Sequence, residues 1–353
     1  MKIVADENIP AVREAFASLG EVTTVNGRSL QAADIVSADI LLVRSVTRVD
    51  AALLADSPVR FVASATAGVN HIDLDYLHTA GIAFAHAPGS NAVSAAEYVI
   101  AAICHWALEN DILLPGRSVG VVGYGNVGKR VVRRCESLGM RCVVNDPPLA
   151  EQGVDGLRSL DAALDCDIVT LHVPLVTEGR HPTLKLMNAA RIAALRPGTL
   201  LINAARGEVV EEAALLDRVT TADDLAVVLD VWENEPDIDP RMLQQTLLGT
   251  AHIAGYSADG KIRGTEMIYR ACCEFLGEQP VWGSSDVVFD QPQIKVTLSP
   301  DPEVRQQVLD AYDIETDSVR LKAILDVEGA NIGQYFDYLR KHYPTRREFT
   351  TDP

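Results

Sequence analysis

The chain has 353 residues, 48% of them hydrophobic, which is enough for two or three packed domains and argues against extended disorder. Its 31 Lys and Arg against 49 Asp and Glu give a formal charge of −18, which excludes the basic surface that nucleic acids and anionic membranes require. An anionic ligand must therefore be met by a local group of cations.

The opening segment, Met1-Lys2-Ile3-Val4-Ala5-Asp6-Glu7, is charged and lacks the apolar core of a signal peptide. No apolar run approaches the ~20 residues of a membrane span, so a cytoplasmic protein is expected. Short apolar runs at Ile3–Ala5, Ile40–Val43, Phe61–Ala63 and Ile82–Phe84 read as strands, with helical patterns such as Ile9–Leu19 and Asp50–Leu54 between them. That alternation predicts a parallel sheet and a complete α/β unit. Asn91 to Glu109 reads as one long helix running between two domains.

The densest signal follows. Val119–Val122 reads as a buried strand, and Gly123-Tyr124-Gly125-Asn126-Val127-Gly128 reads as the turn into a helix starting near Val127. Gly123 permits a tight turn, Gly125 lets backbone approach a pyrophosphate, and Gly128 lets helix pack on strand. The free N–H groups and dipole of the helix N-terminus favour the anion. A second strand, Cys142–Asn145, ends at Asp146, where an acid should meet the adenosine ribose. An acid there favours NAD, because the 2′-phosphate of NADP would face a like charge.

Strands are predicted next at Ile168–Leu171, Leu200–Ile202, Ala226–Leu229 and Thr250–Ile253, the last ending at Gly255. Arg196-Pro197-Gly198 reads as a turn, and Glu211 to Leu216 as a helix start. A helix over Ala258–Leu276 is expected to return to the first domain, and Gln279–Ser285 is the best linker. Beyond it a strand at Ile294–Leu298 and helices at Val319–Leu325 and Ile332–Lys341 are predicted. A tail of this size is small for an independent core, so docking on a partner subunit is expected to supply the missing burial.

Three residues close strands on the side of a parallel sheet where ligands bind: Arg206, Glu235 and His252. A guanidinium can grip a carboxylate through two parallel hydrogen bonds. An imidazole can take a hydroxyl proton as hydride leaves, and a carboxylate can orient that imidazole. Taken singly, each has a plain structural reading as a surface cation, a loop acid or a structural histidine. Together, beside an NAD motif, they point to hydride transfer at a 2-hydroxy acid. His71, His78, His86, His105, His172, His181 and His342 have no metal-ligand company, and His172 reads as structural or near the cofactor. Cys104, Cys135, Cys142, Cys166, Cys272 and Cys273 lack Cys-x-x-Cys spacing and read as buried reduced thiols, so no metal is expected.

At Gly123–Gly128 with Asp146, Leu171-His172-Val173-Pro174-Leu175, Asn203–Gly207, Leu229–Pro236 and Ala251-His252-Ile253, the chain resembles the D-isomer-specific 2-hydroxyacid dehydrogenases. The resemblance implies an α/β protein with two doubly wound parallel-sheet domains. These are a flavodoxin-like substrate domain over 1–93 and 258–280 and a Rossmann NAD domain over 94–257. It also implies a small α+β C-terminal dimerisation domain over 286–353, hence a homodimer. It places the catalytic set on Arg206, Glu235 and His252. It implies cofactor contacts at Gly123, Gly125, Asn126, Val127, Gly128, Asp146, Ala204, Ala205, Arg206, Asp230 and Gly255. Val173 stands where many members have Thr, so no side-chain hydroxyl contact is carried over there.

Val43-Arg44-Ser45-Val46-Thr47 resembles the segment of those members that act on phosphorylated acids, although a helix cap with a surface arginine explains it equally well. With the Thr66 and Tyr256 segments it implies substrate contacts at Ser45, Thr66 and Tyr256, and in so acidic a chain Arg44 must join Arg206 in supplying the local well; Tyr256 either donates to a substrate oxygen or packs its ring at the domain junction. Lys261 and Arg263 either assist or form a solvated helix face. The rival readings are a phosphoglycerate or glyoxylate-type dehydrogenase, and an NAD-sensing binding protein on the same fold.

Overall fold

A computed structural model describes residues 1–349 apart from Glu328 and Ala330. The chain divides into two compact units, Met1–Asn91 with Tyr256–Pro292, and Ala92–Gly255 with Gln293–Pro353.

In the first unit, β1 (Lys2–Asp6), β2 (Glu21–Val25), β3 (Ile40–Val43), β4 (Phe61–Ser64) and β5 (Ala83–His86) form an all-parallel sheet of order β2-β1-β3-β4-β5. Every residue of β3 and β4 is buried, as expected for strands covered on both faces. The order is that of a flavodoxin-like doubly wound sheet. One face packs Ile3, Ile40 and Phe61 against Ile268, Tyr269 and Cys272 of the helix Ala258–Leu276, so that helix returns to the first unit. Ser257 caps it by accepting from the Gly260 N–H at 2.9 Å, and Gly277 ends it in the left-handed region.

The second unit holds β6 (Ser118–Val122), β7 (Arg141–Asn145), β8 (Ile168–Leu171), β9 (Leu200–Asn203), β10 (Ala226–Leu229) and β11 (Leu248–Gly249). They form a parallel sheet of order β11-β10-β9-β8-β6-β7. The strand order reverses between β6 and β8, and ligands of such sheets bind beyond the strand C-termini at that point. The long helix Ala92–Glu109 belongs to this unit, and all but its last two residues are buried. Residues 293–349 also pack with this unit.

Two sequence expectations differ locally, and one strand has no sequence signal. Thr250–Ile253 is not a strand: β11 stops at Gly249, and His252 takes a left-handed φ of 54°. Among the described residues Ile294–Leu298 forms no ladder, and a backbone bond runs from Val296 N–H to Phe349 O at 2.9 Å. The edge strand β2 was not expected, because its half-exposed residues give no apolar run.

Gly120, in the middle of β6, has no room for a side chain, since a Cβ would lie 1.8 Å from the Ala163 carbonyl oxygen. Gly120→Ala should therefore destabilise the second unit by about 1–3 kcal/mol and lower Tm by several degrees, read by calorimetry.

Candidate active site

The glycine turn is built as its spacing predicts. Gly123 has φ 97°, and a Cβ there would meet the His172 carbonyl oxygen at 2.6 Å. Gly128 would place a Cβ 2.0 Å from the Gly123 carbonyl oxygen, so a side chain would push the helix Asn126–Ser137 off its strand. Gly125 is different. It is the N-cap residue of that helix, it is exposed, and its Cβ would meet nothing within 4 Å. The fold itself leaves room for a side chain there. Asn126 and Val127 open the helix, leaving N–H groups at the anion-favouring end.

Asp146 follows β7. Its Oδ2 accepts from the Tyr124 N–H at 2.8 Å and its Oδ1 caps the helix Pro147–Glu151 through the Leu149 N–H at 3.1 Å. The acid is thus fixed beside the glycine turn, with lone pairs left for a diol. These residues fit a dinucleotide. His172, next to the turn, is half-buried, and desolvation pushes its imidazole down to about 3, so it is neutral. Its Nε2 shares a hydrogen bond with Thr170 Oγ1 at 2.9 Å.

The catalytic candidates sit beyond three adjacent strands. Arg206 lies three residues past β9, Glu235 six past β10 and His252 three past β11. Asn203 shapes the first loop, accepting from the Ala205 N–H at 3.1 Å and donating to the Arg206 carbonyl at 2.9 Å. Ala204 is half-buried and Ala205 buried within it. Gly207 lets this loop meet the next, because a Cβ would lie 1.9 Å from the Trp232 carbonyl oxygen. Arg206 Nη1 donates to the Ala205 carbonyl at 2.6 Å, which steers the guanidinium.

Glu235 Oε1 accepts from the Trp232 N–H at 3.0 Å, and Oε2 lies 2.7 Å from His252 Nδ1. A carboxylate at that distance places the ring hydrogen on Nδ1 and leaves Nε2 to exchange a proton. One third of the His252 side chain is exposed, so the imidazole is reachable.

Asp230, at the end of β10, is 1% exposed and holds the His252 loop. Its Oδ1 accepts from Thr250 Oγ1 and the Ile253 N–H, both at 2.7 Å, and its Oδ2 accepts from the Ala254 N–H at 2.9 Å. Burial raises its pKa, and the nearby His252 imidazole and these donors oppose that rise. Gly255 follows, half-buried.

The expected substrate residues belong to the first unit and are described within it. Arg44, just past β3, donates from Nε to Asp6 Oδ2 at 3.0 Å, and Asp6 is fully buried at the end of β1. Ser45 is exposed beside it. Lys261 Nζ sits 4.8 Å over the Tyr256 ring. Desolvation and then the Arg44 charge lower the Lys261 pKa. Arg263 is committed to the Ser90 carbonyl. Thr66 Oγ1 bonds Ser64 Oγ at 2.8 Å, which in turn bonds His71 Nε2 at 2.9 Å. Burial pushes His71 down to about 4, so this relay is neutral. The individual side chains of Asp6, Ser64 and His71 carried no distinguishing sequence signal, since each is defined by a partner far along the chain or by burial.

Among the described residues no helix is long and apolar enough to cross a membrane, and no group of three His, Cys, Asp or Glu side chains is arranged to hold a metal.

The family described as "D-isomer specific 2-hydroxyacid dehydrogenase, NAD binding domain" matches residues 104–254. A family described as "Domain of unknown function (DUF3410)" matches residues 287–351. The erythronate-4-phosphate dehydrogenase of Cellvibrio japonicus is 47% identical over 99% of this chain and 93% of its own length. That of Escherichia coli K12 is 42% identical over the same shares. Among solved structures, the NAD-bound 3-phosphoglycerate dehydrogenase of Entamoeba histolytica aligns with TM-score 0.67 and 24% identity over 78% of this chain and 95% of that one. The D-lactate dehydrogenase of Aquifex aeolicus, complexed with NAD and lactic acid, gives 0.63 and 24% over 78% and 96%.

Two outcomes follow from this geometry. Gly125→Ala should leave Tm unchanged and weaken NAD binding about tenfold, measured by fluorescence titration, because the added methyl occupies only the approach to the turn. His172 is neutral in the fold but ordinary in the unfolded chain. The unfolded state therefore takes up a proton first as pH falls from about 6.5 toward 3, and stability drops across that window and is fully present above it. His172→Gln should flatten that part of the stability–pH curve in denaturant titrations.

Proposed function

The chain belongs to the erythronate-4-phosphate dehydrogenases, within the D-isomer-specific 2-hydroxyacid dehydrogenase family, and on that premise we propose that it oxidises 4-phospho-D-erythronate at C2 with NAD. The product is 2-oxo-3-hydroxy-4-phosphobutanoate, an intermediate of vitamin B6 synthesis. The observation that carries the reading is the 2.7 Å bond from Glu235 to His252 Nδ1, which leaves Nε2 available beyond a strand C-terminus of an NAD-binding sheet.

Bound NAD supplies the acceptor for the hydride from C2. Arg206 binds the substrate carboxylate with its forked donors and fixes C2. His252 Nε2 takes the hydroxyl proton as the C2–O bond becomes a carbonyl, and Glu235 stabilises the resulting imidazolium. Gly123, Gly125, Asn126, Val127 and Gly128 hold the pyrophosphate, and Asp146 the adenosine ribose. Ala204, Ala205, Asp230 and Gly255 complete the cofactor contacts.

The substrate carries roughly three negative charges near neutral pH. Ser45, Thr66 and Tyr256 contact it, and the phosphate falls to Arg44 with Lys261. The neutral His71–Ser64 relay holds the Thr66 hydroxyl in place without adding a competing charge. The protein works in the cytoplasm as a homodimer through its C-terminal region.

A substrate panel followed by NADH absorbance tests this. 4-Phospho-D-erythronate should be turned over far faster than 3-phosphoglycerate, and the reverse preference would reject the substrate assignment. His252→Ala should lose at least about a hundredfold in kcat with NAD affinity retained.

A further inference from the structure

The C-terminal residues 293–349 fasten the segment that carries His252 from outside the sheet. At its start, Lys322 Nζ donates to the Thr246 and Leu247 carbonyls. At its middle, the Gly249 N–H donates to Ser318 Oγ at 3.0 Å. Both residues come from the helix Ile314–Lys322, which packs on β11. At its end, Arg346 Nη2 donates to the Ala254 carbonyl at 3.1 Å and to the Ser94 carbonyl at 3.3 Å. The peptide of Ala254 is therefore gripped on both sides, by Asp230 at its N–H and by Arg346 at its carbonyl.

The anchor of this grip is built into the core. Arg346 is buried, its guanidinium lies 4.0 Å from the Tyr312 ring centroid, and Nη1 lies 3.9 Å from Glu97 Oε2. Glu97 is fully buried on the helix Ala92–Glu109, and its other oxygen accepts from the Phe349 N–H at 2.7 Å. The Tyr312 and Tyr343 hydroxyls both donate to Asp317 Oδ2, at 3.0 and 2.7 Å. From the same long helix, the Tyr98 hydroxyl meets Thr250 Oγ1 at 2.8 Å, and Thr250 passes its own hydrogen to Asp230. Burying a guanidinium costs free energy that surface burial of an apolar residue would not, and here its donors are aimed at backbone two residues from the acid–base group.

We infer that the C-terminal region is a positioning device for catalysis, with Arg346 as its principal positioning residue: it fixes the backbone on which His252 stands. This rests on the reading of His252 as the acid–base group. An unanchored loop of this kind would let the imidazole drift, and misplacement of about 1 Å costs up to roughly a hundredfold in rate.

The test uses the full-length protein, once the wild type is shown to turn over 4-phospho-D-erythronate; without that turnover it is the functional reading that fails. Glu97→Gln/Arg346→Met removes both buried charges together, so no lone ion is left behind. Ser318→Ala loosens the same segment from its other side and leaves the charged anchor whole. Active sites are counted by NADH titration, and kcat is expressed per NADH-binding site, so that unfolded molecules do not count.

The double variant should lose about tenfold or more in that normalised kcat, and Ser318→Ala about threefold, with NADH affinity unchanged. Amide exchange should quicken over residues 249–255 and stay as in the wild type over 200–210. The inference is overturned by a normalised kcat within twofold of wild type in Ser318→Ala and in every folded double variant. It is also overturned by exchange that quickens equally in both segments.

Discussion

The carboxylate of Asp230 gathers three donors from one loop and so decides where His252 stands. The side chain is buried at the end of β10, and its oxygens accept from Thr250, Ile253 and Ala254. The backbone of His252 is bound to the Asp230 carbonyl at 2.8 Å in the same corner. With those bonds made, the chain turns through a left-handed residue at His252 and brings its ring to Glu235. A buried carboxylate is costly to leave unpaired, so the loop and the acid stabilise one another. Everything assigned to the imidazole presupposes that corner.

The remaining parts divide the electrostatic work. A chain of net charge −18 repels a phosphorylated acid at long range, yet each anionic part of the reaction has a local answer. The helix N-terminus after Gly125 is suited to pyrophosphate, and Arg206 to a carboxylate. Arg44 is steadied by the buried Asp6, which keeps the guanidinium in place without cancelling the Lys261 charge nearby. The acids act at short range: Asp146 beside the glycine turn, Glu235 on the imidazole.

Much of this was legible in the sequence because it is local. The glycine spacing, the strand before it and Asp146 after it depend on neighbours within about twenty-five residues, and the helices Ala258–Leu276 and Ile332–Lys341 match their apolar patterns to the residue. Arg206, Glu235 and His252 were legible as strand-terminal residues of the right chemical types. What was not legible depends on distant partners. Thr250–Ile253 has the letters of a strand but is claimed by the Asp230 carboxylate. Ile294–Leu298 has the apolarity of a strand but, among the described residues, no ladder, and it meets Phe349 through Val296. Arg346, Tyr312, Asp317 and Tyr343 look like ordinary polar residues of a tail. Their meaning appears only when Glu97 and Ala254, 249 and 92 positions upstream of Arg346, are beside them.

The most direct measurement of the central claim is the steady-state rate of NADH formation by Asp230→Asn at saturating substrate. The amide keeps the size of the carboxylate but turns one acceptor into a donor, which faces the amide hydrogens of the loop. If Asp230 sets the position of the acid–base group, kcat falls by about a hundredfold while the protein remains folded. A folded Asp230→Asn enzyme with the wild-type rate would contradict the account.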